Sequence, residues 1–350
     1  MTREAKPTPP RMVEAGRVVE FGHFREEFRD LNISDADIFG IGALGRLVNP
    51  FRLKEWQHFA IFNDEVLLTF VIVNTHYLSN SFCYVVDRRT GEMTEHHREA
   101  PPWTARVAKG IHDDHCEFRV RGYDIDVKNR LDEKRHDARI AIAPGKKTPG
   151  IDAAITMHAD PDQHPPLVVV LRLADNRPAY SHKMACPVSG RVCVGEREYA
   201  FDPRNSLALI DVHKAYYPYR MTWSWASGAG FAPDGRVIGF NLTHNCVKDD
   251  GENNENAIWI GDRLTVLPAA RFTFNEHDLR KPWRVATTDG RCDVEFFPSG
   301  ERRGRINLGV VASDYHQPFG VFRGHAIDDD GKTHHFHDVF GVTERHHARF

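Results

Sequence analysis

The chain has 350 residues, of which 41% are hydrophobic and 27% charged, with a formal net charge of -3. That is the composition of a soluble globular protein, and the length suits two domains or one closely joined double unit. A near-neutral balance leaves no basic field for nucleic acid or anionic lipid, and no run approaches the roughly 18 apolar residues of a membrane span.

Residues 1–15 begin MTREAKPTPPRM, charged and proline-rich with no apolar core. They read as a disordered lead-in and not as a secretory signal. The six cysteines, at 83, 116, 186, 193, 246 and 292, form no CxxC pair. Scattered cysteines without a signal argue for reduced thiols and a cytoplasmic location.

Arg17–Phe21 is a short candidate strand, followed by an irregular polar segment through Leu44 and Leu47 to Pro50. From Leu53 the sequence reads as strand, turn at Asn63-Asp64-Glu65, strand, loop and strand, closed by a hairpin turn at Arg89-Thr90-Gly91. Val66–Val73 is a nearly continuous apolar run of β-branched and aromatic type, suited to a strand buried on both faces or to a barrel wall. Asp152–His158 and Leu167–Leu173 predict two further strands, and Val188-Ser189-Gly190-Arg191 predicts a turn.

After residue 200 the meander continues. Gly261-Asp262, Asp289-Gly290 and Asp330-Gly331 separate short alternating segments, the signature of β-hairpins. No segment shows 3.6-residue periodicity over three turns. The expected fold is all-β and antiparallel, as barrels or sandwiches, with domains at 16–200 and 201–350.

One stretch, Asp211–Asn245, concentrates the chemistry. On a strand, alternate side chains share a face. Asp211 therefore lies beside His213, Trp223 beside Trp225, and Asn241 beside Thr243. A carboxylate next to an imidazole can hold a ring tautomer or keep a proton for delivery. In an aromatic, water-poor cavity, desolvation would raise the carboxyl and make it a general acid.

Asp211, His213 and Tyr219 are the candidate catalytic residues. Trp56, His58, Tyr217, Arg220, Trp223, Trp225, Asn241, His244 and Glu255 are the candidate substrate contacts. The bland alternative is that the aromatics are core, the Asp is bonded to backbone, and Glu255 lies in a solvated loop. His335 with His337, and His346 with His347, are conceivable metal ligands. No HExxH occurs and no cysteine clusters with them, so no metal is expected. No GxGxxG is read as opening a helix, and phosphate-loop and GxSxG motifs are missing, so no cofactor is expected either.

The segments FRLKEWQHFAIFNDE, HKAYYPYRMTWSWASG, GRVIGFNLTHN, NENAIWI, INLGVVASDYHQPFG and FGVTERHHARF resemble the bacterial family called domain of unknown function 2804. More distantly, Asp211, Trp223, Trp225 and Asp234-Gly235 follow an order similar to that of lipocalin-like proteins of the carotenoid 1,2-hydratase and AttH type. Here no Trp precedes the Asp, and His213 stands one residue later than the His of that pattern. The resemblance implies two lipocalin-like barrels in tandem, with Asp211 as a general acid that protonates a C=C bond.

Three readings follow. The first is a cofactor-independent hydratase, dehydratase or isomerase acting on a small, largely apolar molecule. The second is a binding protein for a lipid or other apolar ligand. The third is a carbohydrate-active enzyme with Asp211 and Glu255 as paired carboxylates.

Overall fold

A computed structural model describes residues 5–247, 250–307 and 309–349, apart from the side chains of Ala43 and Arg46. It is nearly all β, in two curled half-barrel sheets. The first sheet orders its central strands as Met93–Ala100, Ser79–Asp87, Val66–Asn74, Lys54–Phe62, Leu207–Ala215 and Arg177–Val194, then continues through 151–157 to 105–106. The second sheet runs from Arg263–Val266 through Val237–His244, Arg220–Phe231, Thr333–Arg349, Ala312–Ile327 and Cys292–Asn307 to Ala270–Thr273. Every strand pairing within these two sheets is antiparallel, as the turn chemistry demands. Gly91, Gly235, Gly261, Gly290 and Gly331 all take positive φ at the expected turns.

Several expectations are corrected. Leu207–Ala215 pairs with Lys54–Phe62 and Arg177–Val194, so the chain passes from the first sheet to the second between Ala215 and Arg220. Residues 1–4 of the expected lead-in lie outside the described residues. Beyond them, Met12 and Val13 are buried and Val13–Glu14 pairs with Arg17–Val18, so this segment packs on the first sheet. The expected turn at 188–191 is a bend inside the 18-residue strand Arg177–Val194. Gly190 makes it possible. Its φ is +128° and an added Cβ would lie 2.1 Å from the Ala154 carbonyl oxygen. The bend passes the strand from its Leu207–Ala215 neighbour to Ile151–Met157 and so curls the sheet.

A helix, Ala43–Arg52, opens inside Gly40-Ile41-Gly42-Ala43-Leu44-Gly45, so a GxGxxG does open a helix here, but it follows a 3-10 turn at Ile33–Asp35 and not the strand a dinucleotide site needs. It is short, contains Pro50 near its end, and leaves Leu44, Leu47 and Phe51 exposed, so it presents no ordinary core-facing stripe.

Each half has its own core. A third apolar cluster joins them, with Ala60, Phe62 and Leu67 from the first sheet against Ala229, Trp259 and Phe340 from the second. The cavity described next opens along this junction. All six cysteines are free thiols, four of them buried.

Candidate active site

A cavity of about 420 Å³ lies between the sheets. Its first wall is set by strand register. Across three neighbouring strands, Lys183 stands opposite Asp211 and Asp211 opposite His58. Two residues on, Ser181 stands opposite His213 and His213 opposite Trp56. Alternation does the rest, since Trp56 and His58, and Asp211 and His213, each share a face. The second sheet contributes Trp223 and Trp225 opposite His346 and Glu344, with Tyr315 and Arg302 on adjoining strands.

The aromatic part is a stack. The Trp56 ring lies 4.4 Å from the His213 ring at 12°, and 5.8 Å from Trp223 at 18°. Tyr217 is nearly parallel to both Trp56 and His213.

The charged part divides into two groups. In the first, Lys183 Nζ sits 2.7 Å from Asp211 Oδ1 and 3.9 Å from Glu255 Oε1. His213 Nδ1 is 3.5 Å from the same Glu255 oxygen, and its Nε2 is hydrogen-bonded with the Tyr217 hydroxyl. Burial works against charge on Glu255, but the Lys183 ammonium and His213 overcome it and hold the carboxyl at about 2. Burial likewise opposes the Lys183 charge, and Asp211 and Glu255 reverse that, so its pKa is raised.

The second group centres on Glu344. Its Oε2 accepts Trp223 Nε1 at 2.9 Å, and its Oε1 accepts Gln317 Nε2 at 2.8 Å and the Tyr315 hydroxyl. Among the described residues it forms no ion pair. Burial raises its carboxyl above the usual range, hydrogen bonds from Tyr315 and Trp223 pull it back, and Asp211 pushes it up again. Gln317 is itself fixed by Tyr84 at 2.7 Å, and it donates to His58 Nε2 at 3.0 Å. Burial pulls His58 down to about 4.

Of the residues singled out from sequence, Trp56, His58, Asp211, His213, Tyr217, Trp223, Trp225 and Glu255 all line the cavity. Glu255 is buried there, not solvated in a loop. Asn241 stands behind the wall, accepting Trp225 Nε1 at 2.7 Å and donating to the Glu255 carbonyl at 2.6 Å. Tyr219, Arg220 and His244 do not line this cavity. Tyr219 precedes the strand, is exposed, and donates to the Val310 carbonyl. Arg220 and His244 project from the opposite face of the second sheet, one residue out of phase with Trp223 and Thr243.

Lys183, Tyr315 and Glu344, which also line the cavity, are not among the candidates named from the sequence. A signal was present. Phe340, Val342, Glu344, His346 and Ala348 alternate along one strand, and Glu344 and His346 interrupt an otherwise apolar buried row. Elsewhere, His115, Glu117 and Asp126 lie within metal-binding reach of one another. Arg106 already engages His115, and Arg119 engages Glu117. His335 and His337 stack with ring centres 6.0 Å apart and form no three-ligand cluster among the described residues.

No described helix is long and apolar enough to cross a membrane. No curated protein matches the sequence. In three dimensions the chain is similar to CghA in its crystal structure with Sch210972, with a TM-score of 0.53, 10% identity, and coverage of 85% of this chain and 88% of that one. It is also similar to an AttH-type protein (NE1406) from Nitrosomonas europaea, with a TM-score of 0.50, 13% identity, and coverage of 85% and 93%. These likenesses bear out the lipocalin-like all-β fold. In sequence, residues 3–350 match the family described as Domain of unknown function (DUF2804), and the chain belongs to that family.

Proposed function

We propose that the cavity is the active site of a cofactor-independent enzyme that moves a proton on a small, largely apolar substrate, in a hydration, dehydration or isomerisation. One observation carries this reading. The cavity holds two kinds of carboxylate, Glu344 raised by burial with no cation paired to it among the described residues, and Glu255 held at about 2 beside Lys183. Environments that push two carboxyl groups apart assign an acid and a base.

Glu344 is then the proton donor, in place of Asp211, whose oxygen is engaged by Lys183. Glu255, His213 and Tyr217 form the accepting arm, a carboxylate–imidazole–phenol chain that ends at the cavity. Positive charge developing on the substrate carbon would be met by the faces of Trp56, Trp223 and Trp225. Asp211 and Glu255 grip one ammonium, which does not favour the carbohydrate reading, where the two must work on opposite sides of a bond.

The test uses D₂O and panels of unsaturated alcohols, enones and isoprenoid alcohols, with products read by mass. Wild type should incorporate solvent deuterium into a member of the panel. Glu344→Gln should lower that rate roughly 10²–10⁴-fold. It should leave displacement of a fluorescent apolar probe unchanged. Probe displacement without label in any panel would sink the catalytic reading and favour the lipid-binding one.

A further inference from the structure

We propose that the mouth of the second half-barrel is a binding site for a phosphate-class oxyanion. This hollow, about 840 Å³, lies on the face of the second sheet opposite the aromatic cavity. Strand alternation makes the two faces chemically unlike. Residues 223, 315, 344 and 346 point to the aromatic side, while 220, 222, 345, 347 and 349 point to this one, and Arg305 borders both.

The lining holds Arg220, Arg305, Arg345 and Arg349, with His244 and His347. The acidic groups facing it are Glu276 and Asp314. Glu276 is taken by Arg345, at 3.1 Å. Asp314 lies across from both Arg305 and His347 in the ladder, and its Oδ1 is 3.4 Å from His316 Nε2. Among the described residues, Arg220, Arg305 and Arg349 form no ion pair.

Arg220 and Arg349 are moreover direct cross-strand partners. Like charges placed opposite one another destabilise a sheet. An oxyanion between the two guanidinium groups removes that repulsion and matches their planar forks two bonds at a time. The Thr222 hydroxyl, hydrogen-bonded with His347 Nδ1 at 3.0 Å, and the Asn245 amide lie in the same wall.

The hollow shares Asn245, Arg305, Ile306, Ala312 and Ser313 with the aromatic cavity. The oxyanion therefore has two possible sources, a free phosphate or diphosphate, or the phosphorylated end of an apolar molecule held next door. The site itself does not depend on the catalytic reading above.

The experiment is calorimetric titration of the full chain with inorganic pyrophosphate at low salt, against sodium chloride of matched ionic strength. Saturable binding at one site per chain is expected. The double variant Arg220→Gln/Arg349→Gln should weaken it by about tenfold or more. Without anion, the single Arg349→Gln should hold or raise the melting temperature, because it removes a repulsion, and it serves alone should the double variant not fold. Arg284→Gln, a paired surface arginine elsewhere, should change neither reading. No heat beyond the chloride control, or wild-type binding by the arginine variants, overturns the site. Dodecyl phosphate then separates the sources. Affinity well above that of pyrophosphate, lost in Trp223→Ala, identifies an amphiphile, and equal affinity identifies the free oxyanion.

Discussion

Lys183 and Asp211 face each other on neighbouring strands, Nζ to Oδ1 at 2.7 Å, with side chains only 5% and 11% exposed. Removing one member strands a buried charge, which costs about 3–5 kcal/mol, whereas removing both with apolar replacements is far milder. Lys183→Met and Asp211→Leu should each lower stability by that order in urea unfolding, and the double variant should recover most of it. Additive losses would show that the two do not act as a pair.

Acid should destabilise the fold through buried histidines. Burial, partly offset by Asp211, pulls His58 from 6.5 down to about 4. Burial, with His182 near His136 and His347 near His346, pulls those two to about 3. Groups whose folded pKa is depressed bind protons more readily unfolded, so stability falls as pH drops below 6.5. Each histidine accounts for about 2 kcal/mol by pH 5. Glu255 adds to the loss between 4.5 and about 2. Glu344 has the opposite sign. Its raised carboxyl favours the folded state when protonated, and that contribution is lost as pH rises above 4.5. Urea midpoints at pH 7 and pH 5 should show the decline, and His58→Gln should flatten it by about one histidine's share.

The indole of Trp225 is held by Asn241, which also holds the Glu255 carbonyl. Trp225→Phe leaves a buried amide oxygen without its donor, costing about 1–3 kcal/mol. Asn241→Leu strands both the indole N–H and the carbonyl, and should cost more. Equal costs would mean that the Glu255 bond contributes nothing.

Glycines in the second half fall into two kinds. A Cβ on Gly341 would meet the Ser227 carbonyl oxygen at 2.0 Å, where the strands press together. Gly235 has φ +83° but nothing within 4 Å. Gly235→Ala should cost about 1–2 kcal/mol from left-handed strain alone. Gly341→Ala forces backbone apart and should cost about 3 kcal/mol or more. The reverse order in thermal unfolding would contradict this packing.

Much of the fold was legible because its signals are local. The β-branched run at 66–73 and the turn residues at Asn63-Asp64-Glu65, Asp234-Gly235 and Gly261-Asp262 marked the strands at 54–62, 66–74, 237–244, 257–260 and 263–266, and such signals depend only on neighbouring residues. A turn at 188–191 was legible, but not that Gly190 bends one continuous strand, because that rests on the close approach of Ala154, 36 positions earlier. The helix Ala43–Arg52 was missed because it is too short and too exposed for its periodicity to stand out.

By itself, then, the sequence determined an all-β chain with aromatic and ionisable side chains alternating on strands, since period-two geometry is local physics. It also placed Asp211 and His213 on one face. Only the tertiary structure decided which charges meet. Lys183 reaches Asp211, and Glu344 reaches Trp223 from 121 residues away, because cross-strand register and the closing of two sheets bring them together. Protonation follows from that closure. A carboxyl beside an ammonium and one among indoles and phenols are the same group in the sequence, and burial with its partners lowers the pKa of one and raises that of the other.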